Sequence, residues 1–356
     1  MKRKIFIIVF GSAFLLMGKV QESFSQTLEK PKERIYFVRD DNKKAIDVFI
    51  DGKLFTSYIY PSTIKKPVLY PVKTASGVTV TRSFPLEKVA GERVDHPHHV
   101  GVWFNYGNVN GLDFWNNSDA IDPSKAAQYG TIKLGKIVKV KNGNKKGVLE
   151  VVHIWVDYQN VPLLKEHARY VFSGDKNTRT IDRYTTLTAL NKDLDMGDNK
   201  EGLFGMRVAR ALEMPSTTPE VFTDANGIST KVPAVDNTGV NGNYVSSTGK
   251  VGNDVWGTRA KWVNLSGEIK GEKVAIAIID HKQNPGFPAY WHARGYGLFA
   301  ANPLGQKEFS KGKEELGFKI LAGKSAKFKY RMVIQSGEVL SEKDLDEEVE
   351  EFGESK

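Results

Sequence analysis

Apolar and polar residues alternate with a period of two along almost the whole chain after its first 25 residues. Ala45 to Ile50 and Leu54 to Ile59 flank Asp51-Gly52, which predicts a β-hairpin with a two-residue turn. Thr131 to Lys141 and Gly147 to Tyr158 flank Asn142-Gly143-Asn144, a second hairpin. Glu166 to Ser173 and Thr178 to Leu190 flank Gly174 to Asn177, a third. Lys273 to Asp280, Tyr296 to Ala300 and Ala326 to Gln335 read as further strands. In the last of these, Phe328, Tyr330, Met332 and Ile334 share one face, and Lys327, Lys329 and Arg331 share the other. That alternation marks a half-buried antiparallel strand. Pro215 to Gly257, rich in Gly, Asn, Thr and Ser, reads as long loops over one mouth of a sheet. Helical spacing occurs only in the tail, where Ser341 and Asp344 resemble a capping box and Leu345, Val349 and Phe352 follow. The pattern predicts an all-β fold over residues 26–340, one large antiparallel β-sandwich, with an acidic C-terminal helix over residues 341–356.

The first 25 residues follow other rules. Lys2, Arg3 and Lys4 precede an apolar run from Ile5 to Met17, and Ser23-Phe24-Ser25 offers small residues for cleavage. Residues 1–25 read as a secretory signal peptide with Gln26 as the mature N-terminus. This predicts an exported protein, periplasmic or secreted, with no membrane span after cleavage. Cysteine is absent, so no disulfide and no lipidated cysteine supports the fold, and the core must stabilise it alone. The formal charge is +9, but residues 1–25 carry +3 and those from Glu338 onward −7, so the body between them carries +13. Its lysines and arginines are spread along alternating strands and are not interleaved with aromatics. They predict a solvated surface, not a nucleic-acid partner.

One stretch is hard to explain by folding alone. Asp95 to Trp115, DHPHHVGVWFNYGNVNGLDFW, holds three of the seven histidines, two aspartates and two tryptophans. Pro97 is expected to push His96 toward an extended backbone. The strand that follows projects His99 with Gly101 and Trp103, and His98 with Val100. Imidazoles beside indoles, with Asp95 and Asp113 at hand, suit sugar handling: rings cover the apolar face of a pyranose and His or Asp bonds its hydroxyls. Two other stretches share this character. Lys200-Glu201-Gly202 with Arg207 brings an acid and a cation to a short glycine-bracketed strand. Tyr290-Trp291-His292-Ala293-Arg294-Gly295-Tyr296-Gly297 repeats the aromatic, histidine and glycine mixture, and His292 and His99 are expected to flank one cleft. His153, among apolar strand residues, is expected in the core or a cleft wall. His167 is expected at the surface, and His281 beside Asp280 is expected to orient that acid or cap its strand.

His96 and His98 form an H-x-H pair that binds zinc or copper when further ligands converge, with Glu201, Asp95 or His292 to complete the set. No cofactor motif is present otherwise. There is no His-Glu-x-x-His, phosphate loop, dinucleotide fingerprint or Gly-x-Ser-x-Gly, which removes the usual support for protease, kinase, dehydrogenase and serine-esterase activity.

Taken together, Asp95-His96-Pro97-His98-His99, Gly101, Trp103, Asp113-Phe114-Trp115, Lys200-Glu201-Gly202, Arg207, Trp291-His292, Arg294-Gly295-Tyr296-Gly297 and Asn302-Pro303 resemble an exported bacterial family catalogued as "methane oxygenase PmoA". The likeness runs over residues 34 to 336. Val100 stands where that family more often has Arg. The resemblance implies a β-sandwich and not methane oxidation, since the membrane monooxygenase subunit of that name is a bundle of transmembrane helices. Leu321-Ala322-Gly323-Lys324-Ser325 before the Phe328 strand is also similar to the closing strand of galactose-mutarotase-like supersandwiches. That likeness implies saccharide binding on a sheet, with His as acid and a carboxylate as base.

The function expected from these readings is carbohydrate-active: epimerase, hydrolase or lyase chemistry on a sugar or glycoside ligand. His99 or His98 donates a proton and Glu201 accepts it. Trp103, Trp115 and Trp291 line the ring's site, and Arg207, Arg294, His292, Asp95 and Asp113 hold its oxygens. A glycan-binding module without chemistry and a metal-dependent enzyme built on His96, His98 and His99 are the alternatives.

Overall fold

A computed structural model describes residues 32–354. The signal peptide expected over residues 1–25 lies outside the described residues. Among the described residues two eight-stranded antiparallel sheets form the body of the fold, with two two-stranded sheets beside them. The first runs, edge to edge, through Ile35–Asp40, Ala45–Ile50, Lys53–Ile59, Val68–Val72, Val102–Tyr106, Gly202–Arg207, Leu298–Asn302 and Tyr290–Arg294. The second runs through Asn243–Ser246, Trp262–Ile269, Glu272–Asp280, Ser325–Ser336, Thr178–Ala189, Pro162–Gly174, Gly147–Val156 and Thr131–Lys141. All three predicted hairpins form, and the predicted face of Phe328, Tyr330, Met332 and Ile334 lies in the core. This is the antiparallel β-sandwich the alternation predicts.

The core fills the space between the sheets. Val102, Phe104 and Tyr106 enter it from one strand, Phe204 and Met206 from the next, then Phe299 and Ala301, then Trp291 and Ala293. Successive strand residues face opposite ways. The other face of these four strands therefore carries Trp103, Gly205, Arg207, Ala300, His292 and Arg294, and strand pairing sets Trp103, Gly205, Ala300 and His292 in one row. The site is built on this outer face. Inside the sandwich, His153 shares a hydrogen bond with the Tyr58 hydroxyl (2.7 Å) and lies 3.1 Å from the buried Glu166 carboxylate, so it is a core histidine. His167 is at the surface near Glu150.

Two segments differ from expectation. Pro215–Gly257 is not all loop. It contains the hairpin Glu220–Thr223/Ser229–Val232 and the edge strand Asn243–Ser246. Arg93 ties that hairpin down through Glu220 (3.0 Å) and reaches Glu213 (2.6 Å). The C-terminal helix, Glu342–Gly353, opens with the Ser341/Asp344 capping box and lays Leu345, Val349 and Phe352 over Trp262, Ile279 and Val333 of the second sheet. Arg331 of the expected polar face is thereby buried between Asp182 and Glu348. His281 accepts from the Gln283 amide and packs against Phe352, which makes it a local cap. No helix among the described residues is long and apolar enough to cross a membrane.

Candidate functional site

Arg82, buried beneath the Asp95–Gly101 loop, organises it. Its guanidinium donates to the carbonyls of Asp95 (2.9 Å), His96 (3.0 Å) and His99 (3.2 Å) and to the Asp95 carboxylate. Arg207 grips the same carboxylate from the sheet at 2.7 and 3.0 Å. Burial alone would raise the Asp95 pKa. The His96 hydrogen bond and the two guanidinium charges outweigh it and hold the carboxyl well below the usual range. Asp95 is thus a fixed anion clamped by two cations, not a free ligand for a sugar hydroxyl.

The three loop histidines differ in exposure, and in the opposite sense to the expected roles. His96 takes a left-handed backbone (φ 43°), not the extended one that Pro97 predicts. Arg82 on its carbonyl, the His99 amide on the same oxygen (2.9 Å) and Asp95 on its ring hold it there. Its ring stacks between His99 and Tyr296, with centroids 4.9 and 5.1 Å away, and its side chain is 41% exposed. Nδ1 lies 2.8 Å from the Asp95 carboxylate, so Nδ1 carries the proton and Nε2 is the reactive nitrogen.

His99 is 2% exposed and lies between His96 and Trp103. Arg207 faces its Nδ1 at 3.3 Å, and a guanidinium only donates, so the ring's hydrogen sits on Nε2. Burial, with His98 and Arg207 adding repulsion, depresses its pKa strongly, so it stays neutral. His98 is pushed down to about 2 by burial and by the Lys66 charge. Neither serves as an imidazolium acid at neutral pH, which corrects their expected proton-donor role.

The tryptophans are also corrected. Trp103 and Trp115 are buried and edge-to-face, 5.4 Å apart, beneath the histidines. Trp103 fits because its row neighbour is Gly205, where a Cβ would stand 3.3 Å from the indole. Trp291 points into the inter-sheet core and donates to the Ala260 carbonyl at 3.0 Å. None offers a face to a sugar ring. Asp113 accepts from the amides of Trp115 (2.8 Å) and Asn116 (2.9 Å) and from the Asn116 side chain (2.7 Å). It is a turn cap that holds Trp115.

Glu201 and His292 close the other side. Glu201 precedes strand Gly202–Arg207 and is 18% exposed, with its carboxylate 3.6 Å from His292 Nδ1. Burial raises its pKa, Lys200, His96 and Arg294 oppose that, and Asp113 adds to it; the net is upward. His292 Nδ1 donates to the Lys200 carbonyl (3.0 Å), which leaves a lone pair on Nε2. Burial and the Arg294 charge push its pKa down to about 3. Arg294 is exposed, with its guanidinium over Trp256 (5.3 Å) and Tyr296 (6.0 Å). His96, Glu201 and Arg294 thus surround Tyr296, with the buried His292 behind Glu201, and His99 and His292 both pack on Trp115 beneath them. No group of three or more His, Cys, Asp or Glu among the described residues is placed to hold a metal ion, so His96 and His98 lack converging partners.

Sequence reasoning missed Arg82 and Tyr296. Tyr296 lies in the aromatic-glycine stretch, and its cation–π partner Arg207 (4.7 Å) gives it a fixed place. Nothing in the local pattern around Arg82 separates it from other basic residues.

Among solved structures, the chain is similar to the galactosidase domain of an alpha-galactosidase-sucrose kinase (8% identity, TM-score 0.39), covering 84% of this chain and 41% of that one. It therefore spans about two fifths of that protein's length. It is also similar to galactose 1-epimerase from Lactobacillus acidophilus (9%, TM-score 0.36; 85% and 98% covered) and to a galactose mutarotase related enzyme from the same organism (9%, TM-score 0.31; 85% and 98%). No curated protein matches. A family model matches residues 45–350, and the chain belongs to that family, a family of unknown function (DUF6807).

Proposed function

We propose that this is an exported carbohydrate-active enzyme that moves protons on a sugar or glycoside, with His96 and Glu201 as the proton carriers. The observation that carries this reading is the sorting of the loop histidines. Two are buried and neutral, and the third is held open by an aspartate that is itself locked by two arginines. Such an Asp–His pair leaves one imidazole nitrogen oriented and available. Glu201 supplies a carboxyl whose pKa burial raises, with His96 among the charges acting on it. Arg294 and His292 Nε2 supply a donor and an acceptor for substrate oxygens. Epimerisation, hydrolysis and elimination on a sugar all need this acid–base step.

The test is a saccharide panel followed by product detection by NMR. His96→Gln should lower turnover about 100-fold, the low end of general acid–base contributions, with an unchanged melting temperature. A His96→Gln protein that turns over like the wild type would remove His96 from the mechanism. Saturable binding with no product from any sugar would leave a glycan-binding module in place of an enzyme.

A further inference from the structure

Behind the Asp95–Gly101 loop, three unpartnered ring N–H donors stand beside a buried lysine, and the His98 ring next to His99 keeps an unpartnered Nε2 of its own. Trp103 Nε1 and Trp115 Nε1 are buried and unpartnered, and an indole N–H only donates. His99 Nε2, which holds that ring's hydrogen, is unpartnered as well. Lys66 is buried and gives one hydrogen to the His98 carbonyl at 2.6 Å, but no carboxylate among the described residues pairs with it. Asp113, the acid whose charge reaches Lys66, spends both oxygens on Trp115 and Asn116. The rings of His99, Trp103 and Trp115 are 5.2 to 5.6 Å apart, and Lys66 Nζ lies 5.5 Å from the Trp103 centroid. Elsewhere in the fold Trp155, Trp262 and Trp291 each donate to an acceptor, and Trp256 Nε1 does not. A buried unmatched donor is costly, so three beside an unpaired lysine form a destabilising cluster.

Of this cluster, Lys66 alone lines a cleft of about 500 Å³, within the size range of small-ligand sites. Thr63, Leu86, His98, Val100 and Asn117 line it with Lys66. Asp119 at its rim is paired with Lys65 at 2.5 Å and does not reach for Lys66.

We propose that this cleft binds a carboxylate, with Lys66 as its counter-charge, and that the ligand is an acidic sugar of the hexuronate type. The sugar part rests on the function proposed above; the carboxylate part does not. Lys66 is the reason: it lines the cleft, it is buried, and no carboxylate among the described residues pairs with it, so an anionic oxygen is what the cleft lacks, and a neutral hexose supplies none.

Calorimetric titration of the full-length mature protein with glucuronate, galacturonate, their neutral parents and acetate tests this. Binding of a uronate at least tenfold tighter than its neutral parent is expected, lost in Lys66→Met and kept in the charge-loss control Lys133→Met. Burial pulls the Lys66 pKa to about 7, with Asp113 and His98 the titratable groups beside it. At pH 8 the wild type should therefore take up close to one proton per carboxylate bound, a readout that needs no variant. Acetate binding with this proton uptake, but no sugar binding, would uphold the carboxylate site and overturn the sugar reading. Equal affinity for uronate and neutral parent, unaltered affinity in Lys66→Met, or no binding of any of the three anions would overturn the site.

Discussion

Replacing Asp95 with Asn tests the clamp on which the site is built. The carboxylate takes hydrogens from Arg82, from Arg207 at 2.7 and 3.0 Å and from His96 at 2.8 Å. The two arginine side chains are 1% and 0% exposed. Asparagine keeps the shape and one acceptor, but it removes the charge and points an N–H₂ at donors. Removing one partner of a buried pair costs about 3–5 kcal/mol. Asp95 keeps 18% exposure, so the lower figure applies. For a domain of this size about 1 kcal/mol moves Tm by roughly 2 °C, which predicts a fall of about 6 °C at pH 7.

The pH dependence has a definite sign. The folded-state pKa of Asp95 is depressed, so the stability it contributes is present above the ordinary aspartate value near 4 and is lost as pH falls below it. The loss is about 1.4 kcal/mol per pH unit. Urea unfolding of wild type and Asp95→Asn should show a gap of about 3 kcal/mol at pH 7 that narrows by about 1 kcal/mol at pH 3. A variant as stable as wild type at pH 7, or a gap that stays constant down to pH 3, would refute the clamp.

Three further perturbations follow from the packing. Gly205→Val places a Cβ 2.9 Å from Ala300 Cβ and 3.3 Å from the Trp103 ring. It should cost about 1–3 kcal/mol and alter the near-UV circular dichroism of Trp103; an unchanged spectrum would contradict the stacking. Deleting residues 341–356 uncovers Trp262 and removes the Asp346 acceptor of its indole (2.9 Å), so its fluorescence should shift to the red and Tm should fall. An unchanged Tm would show that the helix is not part of the folded unit. Asp280, fully buried, has its pKa raised by burial to about 7. Its folded state holds the proton more tightly than the unfolded chain, so stability is lost as pH rises, by about 2–3 kcal/mol between pH 5 and pH 8. Asp280→Asn should flatten that slope in urea unfolding, and an equal slope in both proteins would assign it elsewhere.

The sheets were legible because two-residue alternation and turn residues are local signals. Asp51-Gly52 and the Phe328 to Ile334 face needed no distant partner to be read. Tyr290–Arg294 is not among the strands the alternation predicts, yet it is the last strand of the first sheet. Within it the alternation was real: Trp291 goes to the core and His292 to the site. The three stretches meet because strand Gly202–Arg207 pairs with Val102–Tyr106 on one side and Leu298–Asn302 on the other, a register no single stretch contains. For the same reason H-P-H-H could not rank its own histidines. Which ring is covered depends on Arg82, 14 residues before His96, and on Tyr296, 200 residues after it.

The two carboxylates of the site are pushed in opposite directions, and under the proposed function that separation divides their roles. Asp95 stays an anion at any working pH, so it cannot exchange protons with a substrate, and its part is to orient His96. Glu201 is raised by burial, so both of its protonation states lie nearer the operating pH, as a proton carrier requires. His292 beside it stays neutral down to about pH 3 and contributes no titration in the working range. The acid limb of kcat/KM should therefore follow Glu201, lying above the ordinary glutamate value. In Glu201→Gln the residual activity should lose that limb, while Asp95→Asn should lower the rate and leave the limb in place. A limb that persists unmoved in Glu201→Gln would mean that another group carries the proton, and the division of labour between the two carboxylates would be wrong.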